Sequence, residues 1–147
     1  MAGRSLGVTA RQRYEAPPSA VFRAFTEPAL LVRWFSPSPE TRLEVLAHEL
    51  RVNGGYRFRY HHPSGGSDVV AGTFCEISPP KRLVFTWTWE PPDPHAGIET
   101  LVKVEFSADG ARTLVVVTHE RFPDEPTRER HQSGWSSTLP RLSQVLR

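Results

Sequence analysis

The 147-residue chain contains one cysteine, one methionine and only two lysines. A single cysteine excludes an intramolecular disulfide framework and a metal site built from several thiolates. Cys75 stands in a β-like run and is expected to be a small buried hydrophobe. Long apolar runs are missing, so no stretch satisfies the length of a membrane-spanning helix. The opening Met1-Ala2-Gly3-Arg4-Ser5-Leu6-Gly7 holds no apolar signal core, which makes the cytoplasm the expected compartment. A surplus of charge is missing too. The formal net charge is +2, and the basic residues are scattered without a dense run, so nothing marks a nucleic-acid footprint. Arginines outnumber lysines sixteen to two, which we read as compositional bias. There is no phosphate loop, dinucleotide fingerprint or nucleophile elbow, and no cofactor or metal is expected.

What remains is an ordinary globular composition, 38% hydrophobic and 23% charged, long enough for one domain over residues 1–147 with a real core. Its most informative stretch is 78–90. After the turn Ser78-Pro79-Pro80-Lys81-Arg82, the residues Leu83, Phe85, Trp87 and Trp89 share one parity, and Val84, Thr86, Thr88 and Glu90 the other. Period two with β-branched and aromatic residues predicts a strand with one heavy aromatic face. Three aromatics on one face require a large apolar partner or a ligand.

Residues 8–15 predict a first strand, closed by Pro17-Pro18. Ser19 is placed to cap a short helix carrying Val21, Phe22 and Phe25. Pro28 suits the first position of a second short helix with Leu30, Leu31, Trp34 and Phe35. From Thr41 the pattern is β for about eighty residues by its alternation. It is punctuated by Asn53-Gly54-Gly55, the loop Pro63-Ser64-Gly65-Gly66-Ser67, a proline-rich loop over 91–97 and the turn Ala108-Asp109-Gly110. Gly72 marks a bulge or a close backbone approach. A final helix starts near Pro123-Asp124-Glu125-Pro126-Thr127, capped by Asp124 or Thr127, and carries the stripe Trp135, Leu139, Leu142 and Leu146. Pro140 should kink or divide it near Ser136 or Ser137. The economical arrangement is α+β: a curved antiparallel sheet of about six to seven strands wrapped around a long C-terminal helix, with two short helices after strand one. The gap between sheet and helix is a natural pocket.

The ordered motifs resemble the START-like, or SRPBCC, superfamily with its helix-grip fold, and within it the branch related to activators of the 90-kDa heat-shock protein ATPase. The carriers are Pro17-Pro18-Ser19-Ala20-Val21-Phe22-Arg23-Ala24-Phe25-Thr26, Leu31-Val32-Arg33-Trp34-Phe35, Arg51-Val52-Asn53-Gly54-Gly55-Tyr56-Arg57-Phe58, Gly72-Thr73-Phe74-Cys75-Glu76-Ile77, Pro79-Pro80-Lys81-Arg82-Leu83-Val84-Phe85-Thr86-Trp87, and His119-Glu120-Arg121-Phe122 with His131-Gln132-Ser133-Gly134-Trp135. The resemblance implies a hydrophobic cavity and no fixed chemistry, since the superfamily includes lipid carriers, hormone binders, polyketide cyclases and chaperone activators. Pro140 departs from the unbroken final helix that the resemblance implies.

On this basis the expected ligand-binding wall comprises Tyr56, Phe58, Tyr60, Phe74, Phe85, Trp87, Trp89, Val102 and Val104 from the sheet and Trp34, Phe35, Trp135 and Leu139 from the helices. Phe85 and Trp87 should lie near the helix or cavity, and Trp89 at its mouth. Three polar residues are candidates for chemistry: Glu76, His119 and His131. His119-Glu120 is not a zinc motif, because Pro123 stands where the second histidine belongs. A histidine pair with one glutamate can bind a metal or act as acid and base; the simpler expectation is a solvated strand end and a polar first helical turn. Glu76 shares parity with Phe74, which puts it at the cavity mouth or, more simply, in water at a strand end. His48, His61 and His62 are read as surface residues, and Arg57 and Arg59 as facing water. The functions open to such a chain are a binding protein for a small hydrophobic molecule, a cyclase- or hydrolase-type enzyme in the same cavity, or, by analogy alone, a chaperone-activating module. A homodimer is left open.

Overall fold

Alternating apolar residues carry most of the chain into strands. The computed structural model describes residues 6–146; Met1 to Ser5, part of the stretch read as lacking a signal core, lie outside the described residues. The elements run β1 (Leu6–Tyr14), α1 (Pro18–Thr26), α2 (Pro28–Trp34), β2 (Arg42–His48), β3 (Gly55–His61), β4 (Ser67–Ser78), β5 (Arg82–Trp89), β6 (Thr100–Asp109), β7 (Arg112–Phe122) and α3 (Glu125–Thr138). A 3-10 turn (Leu139–Arg141) and a short α4 (Leu142–Val145) follow. Seven antiparallel strands form one curved sheet in the order β1-β7-β6-β5-β4-β3-β2. This is the α+β arrangement that the pattern predicts, and the helix-grip fold that the resemblance implies.

Parity decides what is buried. Leu83, Phe85, Trp87 and Trp89 of β5 point inward, as do Tyr56, Phe58 and Tyr60 of β3 and Val102, Val104 and Phe106 of β6. The intervening polar residues face water, where Arg57 holds Glu90 at 2.8 Å. Phe22 and Phe25 of α1 pack edge-on against Phe106 at ring distances of 5.2 and 5.3 Å. The α2 tryptophan, Trp34, closes that end of the core and donates its indole N–H to the Ala24 carbonyl at 2.9 Å.

Local chemistry shifts several boundaries. Pro17, not Ser19, is the N-cap of α1, with no side-chain cap bond; Pro18 takes the first helical position, where its fixed φ fits and its missing N–H costs nothing. Asp124 caps α3 by accepting from the Thr127 N–H at 2.9 Å and from its hydroxyl at 2.6 Å. Pro140 breaks the last helix later than expected. The Leu139 N–H still donates to the Trp135 carbonyl, so α3 runs through Thr138, and the chain tightens into the 3-10 turn only where proline withholds its N–H.

One expectation about β4 is corrected, and the choice between the two readings of Glu76 is decided for the simpler one, the water-facing strand end. Cys75 is exposed, not a buried hydrophobe. The β4–β5 register shifts between Phe74 and Glu76, so Cys75 is the extra residue of a bulge and has no inward position. The same shift pairs Phe74 with Phe85 but Glu76 with Val84. Glu76 therefore leaves the parity of Phe74 and binds Arg82 at 3.1 Å on the outer face. His48 is also corrected: it is half-buried, 5.6 Å from the Phe74 ring.

Gly72 is a close approach. It lies opposite Tyr56 in the β3–β4 ladder, whose hydroxyl donates to the Thr86 carbonyl. A Cβ at Gly72 would overlap that carbonyl and meet the Tyr56 ring at 2.6 Å. Gly72→Ala is expected to destabilise the protein by about 3 kcal/mol, the upper range of overpacking, whereas Gly66→Ala, which meets nothing within 4 Å, should shift the urea midpoint little.

Candidate functional site

A one-sided sheet and a straight helix separate toward one end, and here they leave a cleft of about 280 Å³ between β3, β4, β5 and α3. Phe35, Tyr60, Trp87, Trp89 and Trp135 supply its aromatic walls, and Asp68, His62, Arg130, His131, Ser133 and Ser137 its polar lining. The other end is closed: around Tyr56, Phe58, Phe74 and Phe85 only about 20 Å³ remains.

The histidines beside this cleft correct the solvated reading. His119 is 0% exposed and His131 6%, and their rings stand 4.9 Å apart. Their proton positions follow from their partners, because an indole N–H only donates. Trp135 donates to Nδ1 of His119 at 3.0 Å, so that nitrogen is bare and Nε2 carries the proton toward the Thr100 hydroxyl at 2.7 Å. Thr100 in turn donates to the Trp87 carbonyl at 2.8 Å. For His131 the tautomer is reversed: Trp89 donates to Nε2 at 3.0 Å, and Nδ1–H donates to the Thr127 carbonyl at 2.7 Å. Protonating either ring would set an N–H against an indole N–H. Burial also lowers both: His119 lies well below the ordinary imidazole value, with His131 pushing the same way, and His131 is brought down to about 4. Both are neutral structural groups at pH 7.

Arg130 joins the cleft to the loop 91–97. Its guanidinium lies 4.3 Å over the Trp89 ring and grips both oxygens of Asp93 at 2.8 Å. Burial alone would raise the Asp93 carboxyl, but the bonds from Arg130 and from the His95 N–H hold it below the usual range. Trp87 differs from the other three tryptophans. Among the described residues its indole nitrogen is the one buried side-chain polar atom without a partner, a deficit worth about 1–3 kcal/mol.

The expected wall is thus divided. Phe35, Tyr60, Trp87, Trp89 and Trp135 meet at the cleft, with Trp89 beside the loop as expected. Tyr56, Phe58, Phe74 and Phe85 form closed core; Trp34, Val102 and Val104 are core as well. Leu139 lies past the end of α3, at the start of the 3-10 turn, where its carbonyl accepts from Tyr14 at 2.7 Å. Glu76 is outside. Missed from the sequence were Asp68, His62, Arg130, Ser133 and Ser137. Asp68 had a signal: it shares parity with Val70, and β3–β4 pairing sets it opposite the inward Tyr60.

The Activator of Hsp90 ATPase homolog 1-like protein family matches residues 15–147. The chain belongs to this family. No curated protein matches the chain. Among solved structures, a protein of Chromobacterium violaceum superposes with a TM-score of 0.85 at 22% identity over 95% of this chain and 96% of its own. The AHSA1 protein of Silicibacter pomeroyi gives 0.84 at 24% identity, covering 96% and 97%. CalU16 of Micromonospora echinospora gives 0.72 at 25% identity, covering 99% and 78%. The first two likenesses establish the family fold alone; the chemistry rests on this chain's own residues.

For this family member the neutral histidines fix a pH dependence. Unfolded, each ionises near 6.5; folded, His131 resists protonation to about 4. Between those values the unfolded chain binds more protons, so stability must fall as pH falls, by about 1.4 kcal/mol per pH unit for each histidine. Urea denaturation from pH 7 to 4.5 should show this slope, and His131→Gln should reduce it by one histidine's share. An unchanged slope would place the titration elsewhere.

Proposed function

We propose that the protein binds a small apolar or aromatic molecule in the cleft between β5 and α3. One observation carries the reading: side chains fill the sheet–helix interface at the Phe58–Phe85 end to about 20 Å³, yet about 280 Å³ stays open at the Trp87–Trp89 end. Such a space is close to the lower size of small-molecule sites. Its walls are rigid two-χ aromatics, and the exposed Pro37, Ser133 and Ser137 on its rim give a route in. Among the described residues no helix is long and apolar enough to cross a membrane.

The cyclase- or hydrolase-type alternative needs a free acid or base at the ligand. His131 reaches the cleft with both of its nitrogens engaged, which leaves the Asp68–His62 pair as the acid–base candidate for that alternative.

Gly134 offers a direct test. It lies on α3 at the cleft, and an added Cβ would meet nothing within 4 Å. Gly134→Ala should stabilise the helix by about 1 kcal/mol and leave the cleft usable, while Gly134→Leu should fill it. A thermal-shift screen with flat aromatic, lipid and polyketide-like compounds is expected to find stabilisers of the wild type that fail on Gly134→Leu. No stabiliser in that screen, together with a crystal structure showing the cleft filled by side chains, would remove the basis of the proposal.

A further inference from the structure

The charge balance of the cleft selects a class of ligand. Besides the Tyr60 phenol, which burial keeps protonated, four charged or titratable side chains line it: His62, Asp68, Arg130 and His131. His131 is held neutral by the Trp89 indole N–H on one nitrogen and the Thr127 carbonyl on the other. Arg130 is matched by both oxygens of Asp93, whose side chain is 2% exposed, and gives a further bond to Nδ1 of His95. Its charge is therefore already answered from behind the cleft. The group left is the Asp68 carboxylate, whose side chain is 32% exposed; an uncharged His62 orients it by donating to Oδ2 at 2.6 Å without cancelling its charge.

Asp68 stands in an unusual place for a carboxylate. It occupies an inward parity position of β4, directly opposite Tyr60, and Tyr60 lies 6.0 Å from Trp89, which meets Trp87 at 5.6 Å. The π faces of Tyr and Trp carry negative potential and attract cations within about 6 Å of the ring. Trp89 already receives one in this way, the Arg130 guanidinium at 4.3 Å. A carboxylate at the end of an aromatic row, with the neighbouring cation neutralised, repels an anion and attracts a positive charge.

We propose that the cleft takes an organic cation, an aromatic or aliphatic ammonium whose apolar body lies among Trp87, Trp135 and Phe35 and whose charged head lies between Tyr60, Trp89 and Asp68. The inference rests on the cleft being a small-molecule site and adds the sign of the ligand and the residue that reads it. Asp68 is the specificity determinant. The aromatic faces favour the cation modestly, and the carboxylate supplies the larger part of the separation.

Phenyltrimethylammonium and tert-butylbenzene have the same shape and differ in charge, so they test the inference directly. Titrations of each, followed by tryptophan fluorescence at low and high salt, are run on the wild type, Asp68→Asn and Gly134→Leu. The cation is expected to bind the wild type at least tenfold more tightly than the hydrocarbon, with the margin shrinking as salt screens the carboxylate. Asp68→Asn should cut the margin about fivefold and leave the hydrocarbon's affinity unchanged; its far-UV circular dichroism and melting temperature report that it is folded. Equal binding, or a hydrocarbon preference, overturns the cation assignment and leaves the cleft as a binding site. A margin that Asp68→Asn does not alter overturns the role of Asp68. If neither probe binds, the cation assignment falls and the cleft reading is left to the wider screen; if both bind Gly134→Leu as well as the wild type, the cleft is not their site and both readings fall.

Discussion

Two indole-to-imidazole hydrogen bonds fix the helix to the sheet, and they run in opposite directions. The helix tryptophan, Trp135, donates to the β7 histidine; the β5 tryptophan, Trp89, donates to the helix histidine. Apolar packing alone tolerates sliding, because dispersion is not directional. A pair of buried donor–acceptor bonds does not, since a shift that breaks either leaves a polar atom stranded at a cost of about 1–3 kcal/mol. The crossed pair sets the height of α3 over the sheet and its rotation about its own axis.

That rotation decides what α3 shows to the cleft. Thr127, His131 and Trp135 follow one another at four-residue intervals on the braced face and are buried. Ser133, Gly134 and Ser137 lie along the adjoining flank, where side chains three and four apart are neighbours, and they line the open space. These residues are small. A helix held at a fixed height with small residues on one flank leaves volume beside it, so the cleft follows from the bracing and needs no separate device to keep it open.

The strand faces were legible in the sequence because period two is a strong signal and the aromatic parity of 83–90 is unbroken. The same rule covers β7. His119 shares parity with Thr113, Val115 and Val117, all buried, so its burial is written in the alternation, although a histidine beside a glutamate suggests solvent. His131 likewise extends the Trp135 stripe backward by one turn. Cys75 was beyond reach, and so was the physical reason that Glu76 faces outward, since a bulge inserts a residue without altering local composition and reverses every parity argument after it. Which aromatics would meet a cavity was equally hidden. That depends on how far α3 stands from the sheet, a distance set by contacts such as Arg130 to Asp93 that join residues 37 positions apart.

Pro140 gives the end of the chain a job of its own. Past the 3-10 turn, Leu142 is fully buried in the core, and the Arg141 guanidinium holds the Trp34 and Ser36 carbonyls at 3.3 and 3.0 Å. The plug is thus anchored to the α2 end while α3 answers to the sheet. With the helical ladder interrupted between them, the two pieces need not share an axis. Substitutions among the small residues along α3 would therefore reshape the cleft without disturbing the seal beneath it, so the open volume and the closure of the core can vary as separate traits.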